Sequence, residues 1–183
     1  MKKCRHCKKP FIPRHSTLER HCWDKRCLAS EAMLKVQEQQ DMQAKKSKER
    51  LNQWKFDLET VQSLTKKAQA IFNTFIRLRD AGKDCISCGK LLQGKFDAGH
   101  YYSSGGHKAV TFYERNCHGQ CVYCNRHLHG NLLNYQIGLV QRIGEEVFNL
   151  SELAHQTRKF TKSELREIIE IYKEKCRLYR NNS

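Results

Sequence analysis

Two pairs of cysteines, each with two residues between its members, frame the stretch that is richest in reactive side chains. Cys85 and Cys88 form the first pair, and Cys121 and Cys124 form the second. Pairs with this spacing are typical of a tetrahedral zinc site with four thiolate ligands. Because such a site has no open position, we expect the zinc to be structural and to hold the residues around it in place.

The side chains between and just after the pairs are those needed to hydrolyse a phosphodiester bond. The reaction needs a group that deprotonates water near neutral pH and a cation close to the leaving oxygen. His100 suits the first task, because the unperturbed pKa of histidine lies close to neutrality. Asp97 and Asn125 offer oxygen ligands to a hard divalent cation. His129, one helical turn after Asn125, is expected on the same helix face and is a further candidate ligand.

A second set of four cysteines lies within residues 1–29 and predicts another zinc site. The four are Cys4, Cys7, Cys22 and Cys27. Four thiolates on a short, loop-rich segment close a tetrahedral site, and the metal would let so short a segment hold a fold. An alternative ligand set would replace one cysteine by one of three histidines: His6, His15 or His21.

The charge distribution points to a polyanionic partner. The chain of 183 residues has a net charge of +15, and residues 1–57 contain 15 Lys and Arg against 7 acidic residues. A basic segment beside two zinc modules predicts nucleic-acid binding. Phe11 and Trp23 are the predicted core of the N-terminal module. Its basic residues are expected to contact phosphates: Lys8, Lys9, Arg14, Arg20, Lys25 and Arg26.

The composition argues against a membrane or exported protein. No apolar run approaches the roughly 20 residues of a membrane span. The basic N-terminus is not followed by the apolar segment of a signal peptide. Because eight of the ten cysteines form closely spaced pairs, we expect zinc in a reducing cytoplasm and not disulfides.

The remaining patterns predict helices around a small β-structure, hence an α+β fold. Residues 31–50 are rich in helix formers but poor in apolar residues, which predicts an exposed helical arm. Residues 54–78 keep the spacing of an amphipathic helix that Gly82 ends. Residues 95–102 and 109–113 are predicted strands, and a helix follows Cys124. Thr161 and Glu164 form a capping box that begins a last helix.

These elements divide the chain into four predicted parts. Residues 1–29 are the N-terminal zinc module, and residues 30–60 are a charged helical linker arm. Residues 61–145 are the core with its preceding helix, and residues 146–183 are C-terminal helices.

The motif around the cysteines resembles a known nuclease motif. Asp-Ala-Gly-His at 97–100, Asn116, and Cys-Val-Tyr-Cys-Asn at 121–125 resemble the zinc-stabilised HNH, or ββα-metal, nucleases. Together with the basic N-terminus, the chain resembles the phage NinG/Rap recombination protein family, most specifically over residues 84–135. The resemblance implies a small zinc-stabilised ββα-metal finger embedded among helices. It also implies a structure-specific endonuclease that uses Mg²⁺ or Mn²⁺ on branched recombination intermediates such as Holliday junctions and D-loops.

The resemblance assigns roles to individual residues. His100 matches the general base, Asn116 the asparagine that braces the loop carrying this base, and Asn125 a metal ligand. The sequence departs from the motif at Gly99, where many HNH enzymes have an acidic residue or histidine. Asp97 would face the opposite side of a regular strand from His100, so it can join the site only if Gly99 permits a turn or bulge. The alternative role of Asp97 is a structural cap.

Two arginines and two histidines are further candidates for contact with DNA. Arg115 and Arg126 could clamp a phosphate, or could lie on a solvated surface. His118 and His127 are expected to contact phosphates or to lie on a helix surface.

Two other functions stay open at this point. One is a non-catalytic, zinc-stabilised DNA-binding adaptor. The glycine before His100, where many HNH enzymes have an acidic residue or histidine, supports this alternative. The other is an HNH nuclease with sequence preference on linear duplex. The expected partners are branched DNA, phage or host recombination proteins in the host cytoplasm, and a second copy of the chain, because symmetric resolution of a four-way junction favours a dimer.

Overall fold

The computed structural model describes residues 1–181, and the chain forms two compact units, Met1–Leu58 and Glu59–Ser183. Helices surround two small antiparallel sheets, so the predicted α+β class is confirmed. The finer division into four parts stays a prediction. No helix among residues 1–181 is long and apolar enough to cross a membrane.

The N-terminal unit has a very small interior. Strand β1 (Lys2–Lys3) pairs with β2 (Pro10–Phe11), and Phe11 is buried against Cys4 and Cys27. The prediction that Trp23 belongs to this core is wrong, since it is 38% exposed and contacts Arg14 through a cation–π interaction. The cysteines and Phe11 form the buried cluster, which leaves the indole ring at the surface.

Helix α1 (Lys25–Leu58) continues this unit as a long, exposed helix. Cys27 is its only buried residue, which confirms the exposed arm predicted over residues 31–50. The predicted helix over residues 54–78 is wrong at its start, because α1 ends at Leu58 and a new helix begins at Val61. Thr60 separates the two, and its Oγ1 accepts a hydrogen bond from the Ser63 amide.

The second unit is built on two helices that pack along their apolar faces. Helix α2 (Val61–Arg79) and helix α5 (Lys162–Asn181) share a core to which Phe72, Phe75 and Tyr172 contribute. The predicted capping box is confirmed: the Glu164 amide donates to Thr161 Oγ1, and the Thr161 amide donates to the Glu164 carboxylate.

A two-stranded hairpin lies against α2. Strand β3 (Phe96–His100) pairs with β4 (Cys117–Cys121) in unbroken register, from Phe96 opposite Cys121 to His100 opposite Cys117. The prediction of a second strand over residues 109–113 is wrong, because Lys108–Val110 form a 3₁₀ turn whose Val110 is buried. Strand formation depends on pairing more than on local propensity, and the pairing of β4 brings Cys121 to the first cysteine pair.

The chain after β4 forms helices that contribute to a second buried cluster. A single π-helical segment (Tyr123–His127) leads to α3 (Leu132–Ile143) and α4 (Glu146–Ala154). These helices bury Tyr135, Leu139 and Leu150 against Ile86 and Val110.

Each set of four cysteines forms a cluster that fits zinc. All four sulfur atoms lie within 4.8 Å of one another in both clusters. The Cys7–Cys22 and Cys88–Cys121 Sγ atoms are 3.7 and 3.8 Å apart. A tetrahedron with Zn–S bonds of about 2.3 Å places its sulfurs about 3.8 Å apart. The structure therefore favours the four-cysteine ligand set over one containing a histidine.

A buried carboxylate joins the end of α2 to the hairpin. Asp80 is 1% exposed and accepts hydrogen bonds from the Gly119 amide at 2.8 Å, from Arg79 at 2.7 and 3.0 Å, and from Lys83 at 3.1 Å. Arg79 in turn donates to the Cys117 carbonyl. Burial raises the pKa of Asp80, but the bonds from Arg79 and Gly119 outweigh it and hold the pKa below its usual range.

We expect metal analysis of the purified chain to find about two zinc ions per molecule, one for each cysteine cluster. Replacing Cys85 and Cys88 together by serine should remove one ion, because two of the four thiolates are lost. Cys176→Ser is the matched control, since this buried thiol belongs to neither cluster. A single zinc in the wild type, or two in the double variant, would contradict the assignment.

Asp80→Asn should lower the free energy of unfolding on the order of 3 kcal/mol, because it leaves the largely buried Arg79 without its counter-charge. Urea denaturation measures the change. Asp84→Asn removes an exposed carboxylate four residues later and should change the free energy by less than about 0.5 kcal/mol. Equal free energies of unfolding for the two variants would show that Asp80 does not stabilise the fold as the counter-charge of Arg79.

Candidate functional site

Strand β3 separates the predicted site residues onto two faces. Because its pairing with β4 has no bulge, side chains alternate along the strand. Ala98 and His100 face α2, whereas Asp97 and Gly99 face the other way. The turn or bulge at Gly99 that would bring Asp97 to the side of His100 is therefore not formed, and the two side chains point apart as expected for a regular strand.

His100 is held by hydrogen bonds at the end of this strand. Its Nε2 lies 3.1 Å from the Thr111 carbonyl oxygen, which can only accept, so we assign the proton to Nε2. The Gln69 amide nitrogen, 3.3 Å from the same atom, is then a contact and not a hydrogen bond. The lone pair is then on Nδ1, whose neighbour is the Cys117 sulfur at 3.4 Å. Burial lowers the pKa of His100, and the Thr111 carbonyl acts in the opposite direction. Burial thus favours the neutral form of His100, with the proton assigned to Nε2.

A pocket of about 530 Å³ lies beside His100. Thr111 lines it, and so does Gln69, whose amide nitrogen is 3.3 Å from His100 Nε2. The lining also includes four cationic residues that were not singled out from the sequence: Lys66, Lys108, Arg158 and Lys159. They come from three separate segments, so only the fold brings them together.

Asn116 closes the loop that follows His100. It is fully buried, and its Oδ1 accepts from the Tyr102 amide at 2.8 Å. Its Nδ2 donates to the carbonyls of Tyr102 and Val110, at 2.9 and 3.1 Å. One side chain therefore ties both ends of the loop, next to the Thr111 carbonyl that binds His100.

Asp97 and Asn125 are brought together on the opposite face of the hairpin. Asn125 Nδ2 donates to Asp97 at 3.1 Å, and Arg126 binds both carboxylate oxygens at 2.7 and 2.8 Å. The Arg126 hydrogen bonds lower the pKa of Asp97. A carboxylate and an amide are suitable donors for a hard cation, but here the guanidinium occupies the carboxylate oxygens. An ion at this point would have to displace Arg126.

The sequence predicted that His129 shares a helix face with Asn125, but the structure does not place the two residues in this way. The π-helical segment ends at His127, and His129 adopts a left-handed backbone with φ of +48°. The i, i+4 geometry therefore does not form, and a ligand role for His129 stays a prediction without that support.

Position 99 favours glycine because of the neighbouring Gln120, a residue that the sequence patterns did not single out. A Cβ at position 99 would lie 2.3 Å from Gln120 Oε1. Gln120 is fully buried, and its Nε2 donates to Ser87 Oγ and the Gly130 carbonyl, both at 2.6 Å. Within residues 1–181 its Oε1 has no hydrogen-bond partner. An acidic residue at position 99 would displace this amide.

Other expected DNA contacts have different environments. His118 is buried in β4 and donates to the Arg115 carbonyl, so the expectation that it contacts phosphate or lies on a helix surface is wrong. Burial, followed by the nearby Arg79 charge, lowers the pKa of His118 to about 4. Arg115 pairs with Glu146, and the six basic residues predicted in the N-terminal module are all exposed.

Comparison with known proteins shows where this chain belongs. The family described as "Bacteriophage Lambda NinG protein" matches residues 1–182. Proteins named "Protein ninG" from Escherichia phage 933W, Escherichia phage lambda and Salmonella phage P22 are 43%, 42% and 40% identical over 117 residues. The match covers 64% of this chain and 57–58% of each relative, so the chain spans less than two thirds of their length. No solved structure matches. The chain belongs to the NinG family.

Proposed function

We propose that this protein is a metal-dependent endonuclease that cleaves branched DNA recombination intermediates, the activity that the HNH-like motif implies. The observation that carries the proposal is the position of His100. Its neutral imidazole contacts Gln69 and Thr111, and both line the pocket that includes four cationic side chains. A phosphate attracted to this pocket would lie close to the ring of this candidate general base.

His100 would act through Nδ1, the ring atom with the lone pair. The Thr111 carbonyl holds Nε2–H and keeps the tautomer, and Asn116 holds the loop that precedes Thr111. Cys117 next to Nδ1 is neutral, because burial raises the pKa of its thiol. For Nδ1 to take the proton from the attacking water, the imidazole and the Cys117 thiol must move apart to admit that water. The cationic side chains would attract the phosphate.

Asp97 and Asn125 are the side chains that would hold Mg²⁺ or Mn²⁺. Their oxygens match the donor preference of a hard cation, which when bound would offset negative charge at a phosphate on this face of the hairpin, opposite His100. Arg126 competes for the same carboxylate, so loading requires that this ion pair opens.

The non-catalytic DNA-binding adaptor is a second candidate, and one observation favours it. Asp97 is already neutralised by Arg126 and lies on the strand face opposite His100. In such a protein the two zinc clusters and the exposed basic residues would serve DNA binding alone. This adaptor would bind forked or four-way DNA without cutting it in Mg²⁺ or Mn²⁺.

His100→Ala should reduce cleavage of forked or four-way DNA by about 10²- to 10⁴-fold, because the general base is lost. Binding of the same DNA should change less than about threefold. Cleavage is measured on labelled linear, forked and four-way DNA with Mg²⁺, and binding with Ca²⁺. His155→Ala is the control, since it removes an exposed histidine elsewhere. Wild-type cleavage by the His100 variant excludes the mechanism, and a wild type without any nicking favours the adaptor.

The cleavage rate should depend on pH through an acid limb below the ordinary histidine pKa of about 6.5. The base must be neutral, and burial lowers the pKa of His100, so protonation abolishes activity only at lower pH. Single-turnover rates on forked DNA across pH 5–8 measure this limb. DNA affinity over the same range provides the control. A midpoint above 6.5 would contradict the assignment of His100 as the base.

A further inference from the structure

The pocket beside His100 combines features of a nucleotide-binding site. It lies between the start of α2, the loop around Ser104, and the segment before α5, and its volume of about 530 Å³ is in the range of small-molecule sites. Its apolar lining includes Val61 and the half-buried Phe160.

Phe160 and Arg158 form a stacking surface in this pocket. The Arg158 guanidinium carbon lies 5.2 Å from the centre of the Phe160 ring. Phe160 also contacts Phe112, with ring centres 5.2 Å apart and an angle of 65°. Aromatic rings and guanidinium planes are the surfaces on which proteins stack unpaired bases.

The charged side chains of the pocket suit a phosphate group. Its lining contains four cationic residues and no carboxylate. Arg158 pairs with Glu164, which does not line the pocket, and Lys108 donates to the Ser104 carbonyl at 3.0 Å. Lys66 and Lys159 form no ion pair within residues 1–181, so their charge is available to an anion.

We infer that this pocket binds one unstacked nucleotide of the DNA, with the base against Phe160 and the phosphate against the lysines. The inference rests on the proposed function, because it takes DNA as the ligand. Its new element is a structural explanation of how the protein would select branched DNA. A base in an intact duplex is paired and stacked and cannot enter, whereas unpaired nucleotides are available at a branch at little cost. Because Gln69 and Thr111 join the pocket to His100, the captured nucleotide would place a neighbouring phosphodiester beside that histidine.

The test compares the affinity for forked DNA with that for linear duplex of equal length, measured by fluorescence anisotropy in Ca²⁺. Phe160→Ala removes the stacking ring, and Thr65→Trp fills the pocket from α2 without removing a core side chain. Both should weaken fork binding about tenfold and leave duplex binding within twofold. Equal changes for the two DNAs, or no change, would overturn the inference.

A charge-matched pair of variants tests the phosphate contacts. Lys108→Gln/Lys159→Gln should weaken fork binding more than Lys173→Gln/Arg180→Gln, which removes the same charge from the far part of α5. Equal effects would mean that only net charge matters and would overturn the pocket assignment.

Two further outcomes separate this inference from the nuclease proposal. A fork preference that depends on Phe160, in a wild type that cuts nothing in Mg²⁺, would support the pocket and refute the nuclease. Normal cleavage with unchanged fork preference in both pocket variants would refute the pocket alone. Deoxyadenosine 5′-monophosphate is the free-nucleotide probe: if it binds in a Phe160-dependent way while fork preference is absent, the DNA part of the inference is overturned.

Discussion

The buried Asp80 carboxylate is the constraint on which the second unit depends. It lies at the end of α2, receives the Gly119 amide from β4, and is balanced by Arg79 and Lys83. Gly119 is required at this contact, because a Cβ there would lie 2.5 Å from Leu92 and 3.0 Å from Asp80 Cβ. The hairpin is thereby anchored close to α2, and this proximity lets His100 reach Gln69. The environment of His100 thus depends on the hydrogen bonds and ion pairs that stabilise the buried Asp80 carboxylate.

Features set by short-range chemistry could be predicted from the sequence. The capping box of Thr161 and Glu164 needs only four residues, and the cysteine pairs carry metal-ligand spacing in the chain itself. The opposite orientation of Asp97 and His100 also followed from the two-residue period of a strand. These predictions depend on geometry that does not change with tertiary context.

Features that depend on distant partners could not be predicted. Residues 109–113 have strand-forming side chains, yet Cys117–Cys121 became the strand because it pairs with β3 and completes a cysteine cluster. Trp54 and Leu58 have the spacing of a buried face but are 60% and 58% exposed, since α1 ends before the packed helix begins. The cationic pocket could not be predicted, because its lysines and arginine are far apart in the sequence and resemble any solvated basic residue.

The contact between Gly99 and Gln120 has a consequence for how substitutions combine in this chain. An acidic residue at 99 collides with the Gln120 amide, and shortening Gln120 alone leaves Ser87 Oγ and the Gly130 carbonyl without their donor. Each single change is therefore unfavourable, whereas the two together remove the collision. The positions are energetically coupled, so their effects on folding should not add. A chain with this backbone would acquire the acidic residue of the nuclease motif at the lowest cost in stability by changing both positions, and the order of those two changes would decide how unstable the intermediate is.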